Sequence, residues 1–182
     1  MGWFLSIVLI IIGCISAVYG IRFCRVEKNA GSFRITMLLL GLSAGLWQVG
    51  YGLIGVCADF AMCAHLRRLG LLGVTVYPII ETGLALERAG IKKRVRTVVM
   101  TLICIYGLID WIMISMPWVD GFIRMKNWTC FYANDCFERS FHNVYTAVVF
   151  FAALTGWCLW YRRVRFKREK RLLYGILLAN LA

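Results

Sequence analysis

The sequence predicts an all-α fold, a polytopic transmembrane helical bundle, and three observations carry that prediction. Hydrophobic residues make up 61% of the chain, charged residues only 16%, and the mean hydropathy is +0.74. Soluble domains sit near half apolar and a quarter charged, so this chain falls outside their range. Five apolar stretches approach the roughly 20 residues a helix needs to cross a hydrocarbon core. The basic residues gather in alternate connections between those stretches, the pattern that fixes the orientation of membrane helices.

The spans follow in order along the chain. Residues 3–21 and 35–58 carry no charge; residues 69–86 carry Glu81, residues 97–118 carry Asp110, and residues 144–161 are uncharged again. Backbone groups in lipid must bond within their own segment or around a closed barrel. These runs are continuous rather than alternating in polarity, so helices are expected over barrel strands. Residues 172–182 are span-like in composition but reach only about 16 Å at 1.5 Å per residue, half a hydrocarbon core. They are expected to begin a sixth span that continues beyond Ala182.

The formal charge of +12 would suit a nucleic-acid partner if a soluble scaffold carried it. The apolar runs deny it one, so no nucleic-acid partner is expected and the lipid bilayer is the primary one. Connections 22–34, 87–96 and 162–171 hold 16 of the 21 Lys and Arg residues; the other five are Arg67, Arg68, Arg124, Lys126 and Arg139. Basic residues held near span ends mark the cytoplasmic side, which puts the N-terminus outside a cell membrane crossed several times. The dense run from Arg162 to Arg171 is then a cytoplasmic turn beside anionic headgroups.

Within the second span, Gly41, Gly45, Gln48, Gly52, Gly55 and Asp59 recur at spacings of four and three, which aligns them on one side of a helix. Gly41 and Gly45 also form a GxxxG pair that lets another backbone approach closely. The four glycines read as a packing seam. Gln48, near mid-membrane, needs a partner for its amide, and with Tyr51 nearby it is a candidate for binding a small polar ligand.

Glu81 and Asp110 are the ionisable groups inside spans, and such groups are costly unless paired or hydrated. Their positions put them in opposite halves of the bilayer, roughly 10 Å apart in depth for a 30 Å core. That spacing excludes a close catalytic carboxylate pair. No Lys or Arg lies within a span, so Tyr77, Tyr106, Thr82 and Gln48 are the expected hydrogen-bond partners. Pro78, three residues before Glu81, frees a backbone carbonyl. Pro78 and Glu81 are therefore expected to form one mobile element.

Residues 119–143 form the longest connection and are rich in aromatic side chains. Cys130 and Cys136 flank FYAND there on the expected outer face, where a disulfide between them is an option. Cys57, Cys63, His65 and His142 map to the same side, but without CxxC or HxxxH spacing no metal site is expected. No phosphate-binding glycine loop, zinc-protease motif or nucleophile elbow occurs. No catalytic module and no cofactor are expected within the chain.

Residues 46–90 read LWQVGYGLIGVCADFAMCAHLRRLGLLGVTVYPIIETGLALERAG. A Trp followed by Gly-Tyr ends the second span, a short loop with an acid and a basic pair follows, and a Pro lies in the third span. This segment resembles the seven-helix N-terminal sensor region of bacterial histidine kinases, with Trp47, Gly50, Tyr51, Arg68, Gly70 and Pro78 on the matching positions. The resemblance implies that residues 1–182 are the N-terminal part of one seven-helix sensor domain. It also implies a homodimer, an unidentified small ligand, and a cytoplasmic kinase or cyclic-dinucleotide output domain joined in cis. The chain departs from that family by ending before a complete sixth helix, a seventh or any output domain. The expected function is sensory input by helix repacking. The main alternative is a transporter or transporter subunit using Glu81 and Asp110.

Overall fold

The computed structural model describes residues 2–27, 31–125, 128–165 and 170. Five long helices account for most of them: α1 (Gly2–Val26), α2 (Ser32–Val56), α3 (Phe60–Arg88), α4 (Lys93–Ile114) and α5 (Phe137–Arg163). Each is long and apolar enough to cross a membrane. A 25-residue helix such as α1 rises about 37 Å, enough for a hydrocarbon core and part of both headgroup layers.

The helices extend past the spans expected from hydropathy. Residues 60–68 form the first turns of α3, and α5 begins at Phe137, seven residues before position 144. Hydropathy stops at a charge, whereas a helical hydrogen-bond ladder continues wherever that charge finds a partner. Asp59 marks the true start of α3: its carboxylate accepts the Ala61 N–H at 3.0 Å, the usual satisfaction of an orphan N-terminal donor. It therefore lies beyond the end of α2 and is no member of the glycine stripe. The other end of α3 closes with Gly90 at φ +66°. The Gly90 N–H donates to the Glu87 carbonyl and the Ile91 N–H to that of Leu86, a Schellman turn that needs a left-handed residue.

The connection between α4 and α5, expected as an irregular loop, contains a 3-10 turn (Pro117–Val119) and an antiparallel hairpin, β1 (Asp120–Arg124) and β2 (Thr129–Ala133). Phe122 faces Phe131 across the hairpin with ring centroids 5.7 Å apart, the kind of cross-strand pair that fixes register. Arg124 and Thr129 dock it on the bundle, both donating to the Cys57 carbonyl just after α2. Phe122 also stacks on Phe60 of α3 at 5.9 Å.

Packing runs α1 on α2, α2 on α3, and α3 on both α4 and α5, which also touch each other. Helix α3 is thus central and carries the most buried positions. Three apolar clusters lie along the bundle: Leu71, Ile114 and Val119 near the hairpin, Ile103, Tyr145 and Val149 in the middle, and Ala85, Ala153 and Trp157 near the opposite end. Outward faces stay apolar, including Leu9, Ile12, Ile15 and Val18 on α1 and Val98, Leu102, Ile105 and Leu108 on α4. Two such continuous faces would be an aggregation surface in water but match hydrocarbon. The expected start of a sixth span, residues 172–182, lies outside the described residues.

The seam from Gly41 to Gly55 faces α1. A Cβ at Gly41 would stand 2.6 Å from the Ser16 carbonyl oxygen and 2.8 Å from the Gly20 Cα. One at Gly52 would stand 2.7 Å from the Ser6 carbonyl oxygen; Gly45 meets Gly13 and Ala17, and Gly55 meets the Ser6 side chain. A second seam, absent from the sequence reading, joins α2 to α3. A Cβ at Gly50 would stand 2.8 Å from the Gly70 Cα, and one at Gly73 would strike the backbone of Ser43 and Trp47.

Candidate functional site

Between α1, α2, α3 and α5 lies a cavity of about 470 Å³. Helix α2 contributes Trp47 and Gln48, α3 contributes Tyr77, Pro78 and Glu81, and α5 contributes Thr146 and Phe150. The spacing explains the convergence. Positions 77, 78 and 81 fall on one stripe of α3, as do 146, 150 and 153 of α5. Helix α3 runs continuously through Pro78; proline cannot donate to the Val74 carbonyl four residues earlier, and Val74 also lines the cavity.

Glu81 is 8% exposed, and its Oε1 accepts the Trp157 Nε1–H of α5 at 3.1 Å. Trp157 is a partner of this acid that hydropathy and spacing do not reveal. Thr82 instead donates to the Pro78 and Val149 carbonyls at 2.8 and 3.3 Å. Gln48 presents Oε1 as a buried atom without a hydrogen-bond partner. Trp47 and Tyr77 rings lie 6.5 Å apart at 54°. One space therefore holds the Glu81 carboxyl, an unpartnered amide oxygen and aromatic faces.

Tyr51 is placed elsewhere. It packs edge-on against Phe131 at 6.1 Å, beneath the hairpin, where Arg67 also lies over the Phe131 ring at 4.6 Å. Arg67 is 1% exposed, pairs with Asp120 of β1, and donates to the Ile114 carbonyl at 3.0 Å. Burial pushes the Asp120 carboxyl up from its ordinary value, while the Arg67 and Arg68 guanidiniums pull it back. Hydropathy places both arginines in a connection, and Arg68 is the one on the position that resembles the sensor region. Arg67, in the second turn of α3, is the buried one of the two.

Asp110 is fully buried and contacts His142 of α5, Oδ2 to Nδ1, at 2.8 Å. The partner was missed because position 142 was placed in a loop; α5 includes it. His142 and Trp157 lie fifteen positions apart on α5, about 22 Å of helix rise. The two acids thus bond to partners about four turns apart on α5 and serve separate sites. Asp110 Oδ1 has no hydrogen-bond partner. His142→Phe, which removes the contact to Oδ2, should lower stability in detergent by about 1–3 kcal/mol. Chemical denaturation followed by circular dichroism measures this, and an unchanged midpoint would refute the pairing.

The disulfide allowed by the sequence between Cys130 and Cys136 is not formed; both thiols are free. Cys130 sits in β2 opposite Ile123, whereas Cys136 precedes α5 and packs on the Leu71, Ile114 and Val119 cluster. Among the described residues, no three His, Cys, Asp or Glu side chains come together where a metal ion could be held. At the end of the bundle away from the hairpin, Arg163 donates to the Ala89 carbonyl and Arg96 pairs with Glu87 at 3.2 Å. Arg88 there lies over the rings of Phe33 and Trp160 at 4.8 and 5.8 Å. This end holds more of the described basic residues than the hairpin end, which carries Arg67, Arg68, Arg124 and Arg139.

No protein-family model, curated protein or solved structure matches the chain.

Proposed function

We propose that this chain is the membrane-embedded sensory input of a signal-transduction protein, and that its stimulus acts in the cavity between Gln48 and Glu81. The cavity is the observation that carries the reading. It opens on α3, the helix that packs on α2, α4 and α5, so an occupant touches the element that positions the rest. Its acid is tied to α5 through Trp157, and α5 ends where Arg163 bonds back to Ala89 at the end of α3. A ligand that competes for Glu81, or wedges beside Pro78, would change how the two helix ends sit together. A ligand shifts such an equilibrium only by its difference in affinity for the two packings.

The residues shared with the histidine-kinase sensor region support the same reading, since Gly50 and Gly70 are in direct contact and Pro78 lines the cavity. On this reading the basic end faces the cytoplasm of a cell-membrane protein and the N-terminus and hairpin lie outside. A homodimer relays the shift to an output domain joined in cis. The transporter alternative is weakened because Asp110 lies outside the cavity, on a partner four helical turns from that of Glu81.

The test uses the intact protein with its output. Ala44 lines the cavity, so Ala44→Trp should change basal output severalfold by filling it, while Leu108→Trp, on an exposed face of α4, should not. Glu81→Gln should shift output as well. Equal output from wild type, Ala44→Trp and Glu81→Gln would end the sensory reading.

A further inference from the structure

We propose that Cys57 and Cys63 form a dithiol site that reacts with small-molecule disulfides, closing a bridge across the corner between α2 and α3 beneath the hairpin. The proposal goes beyond the sensory reading and uses none of the cavity residues.

Backbone geometry brings the two cysteines together. Cys57 is the residue on which α2 ends, and Asp59 caps the start of α3, so the two packed helices are joined by a tight corner. The Asp59 carbonyl accepts the Cys63 N–H at 2.9 Å and the Cys57 thiol at 3.4 Å. The Ile54 carbonyl accepts the Cys57 N–H at 3.3 Å and the Cys63 thiol at 3.9 Å. Each thiol thus shares an oxygen with the backbone N–H of the other cysteine, and the two side chains are within hydrogen-bonding reach of each other. A disulfide needs Cα atoms about 4.4–6.8 Å apart and side chains that point together. The shared oxygens hold the two backbones close, and the contact between the thiols supplies the direction.

Exposure divides the roles. Cys57 is half-buried, with Ala58 and Asp59 exposed beside it, whereas Cys63 is 0% exposed. A dissolved disulfide therefore reaches Cys57 first. The Cys57 thiolate attacks one sulfur of the reagent, the reagent's S–S bond breaks, and one thiol leaves carrying the proton that Cys57 gave up. Cys63 then loses its proton and attacks the Cys57 sulfur of the mixed disulfide, which releases the second thiol. Two electrons and two protons pass from the pair to the reagent, and the bond between the two cysteines forms.

The position gives the bridge a structural consequence. Arg124 and Thr129 of the hairpin both donate to the Cys57 carbonyl, at 2.8 and 2.5 Å. Thiols are weak donors, so in the reduced pair the side chains hold this corner loosely. Oxidation would tie the hairpin's anchor residue covalently to the first turn of α3, the central helix.

The probe is oxidised glutathione, applied to the whole protein in nanodiscs over a series of glutathione redox ratios, with acid quenching and alkylation of the remaining thiols. Cleavage after Phe60 separates the two cysteines, so their peptides stay joined only where the bridge has formed. Peptide mass spectrometry should find this link at least tenfold more abundant than any link to Cys130 or Cys136. In Cys63→Ser the second step is blocked, and Cys57 carrying glutathione should accumulate at least tenfold over wild type. Cys57→Ser should leave the buried Cys63 unmodified. Cys104→Ser, at an exposed position, controls for folding and should bridge as wild type. Retention of both thiols at every ratio, equal glutathione adducts in wild type and Cys63→Ser, modification of Cys63 in Cys57→Ser, or preferential linkage of either cysteine to Cys130 or Cys136 would each overturn the proposal.

Discussion

Arg67→Met should lower the unfolding free energy of the protein in detergent by about 3–5 kcal/mol, because it leaves Asp120 as a buried charge without its partner. Arg67 and Asp120 side chains are 1% and 7% exposed, so water screens neither. The guanidinium also bonds the Ile114 carbonyl at the end of α4 and lies over Phe131 of β2. A single side chain thus ties α3, α4 and the hairpin together. Arg67 Nε and Asp120 Oδ2 have no hydrogen-bond partner, so the pair is incompletely satisfied even when intact. For that reason the double variant Arg67→Met with Asp120→Leu should recover most of the loss, since apolar replacement of a buried pair is often near neutral. Denaturation of the four proteins in one detergent gives the coupling between the two positions. Additive losses in the double variant would show that the two charges do not interact.

Gly41→Leu should separate α1 from α2 and cost about 3 kcal/mol, the upper part of the usual range for overpacking. The atoms a side chain would strike, the Ser16 carbonyl oxygen at 2.6 Å and the Gly20 Cα at 2.8 Å, belong to the α1 backbone and cannot rotate away. Gly31→Leu is no control, because Gly31 has φ +54°. Leu42→Ala is a better one, on the exposed side of the same helix. Cross-linking of cysteines placed on facing turns of α1 and α2 should fall in Gly41→Leu and persist in Leu42→Ala. Persistence in both would refute the seam.

These two sites differ in how far they could be read from the sequence. The seam was legible because glycines at spacings of four and three mark a helix face regardless of what covers it. That α1 covers it was not legible, since the matching small residues, Gly13, Ala17 and Gly20, carry no polar signal in an otherwise apolar run. The second seam, Gly50 with Gly70 and Gly73, went unread because its members sit on two helices. Arg67 and His142 were assigned to loops for a shared reason. Hydropathy counts a charge as exposed, and only the fold supplies Asp120 and Asp110 to bury against. The hairpin depends on Phe122 meeting Phe131, a pairing set by register rather than by either strand alone.

Glu81 was legible as a costly intramembrane acid and Gln48 as a buried amide, but nothing local joined them. Their convergence depends on α3 lying between α2 and α5, and on Trp157, 76 positions further along, reaching Glu81. Tyr51 lies three positions beyond Gln48, about 4.5 Å of helix rise towards the hairpin, and packs on Phe131 there.

The bundle sits in lipid only if the hairpin and the basic end lie on opposite sides of it. A bilayer-impermeant maleimide applied to cells expressing Ile123→Cys or Lys92→Cys, with labelled sites read by peptide mass spectrometry, tests this directly. Position 123 in β1 should label in intact cells, and position 92, before α4, only after permeabilisation. Labelling of both positions in intact cells, or the reverse order, would contradict it.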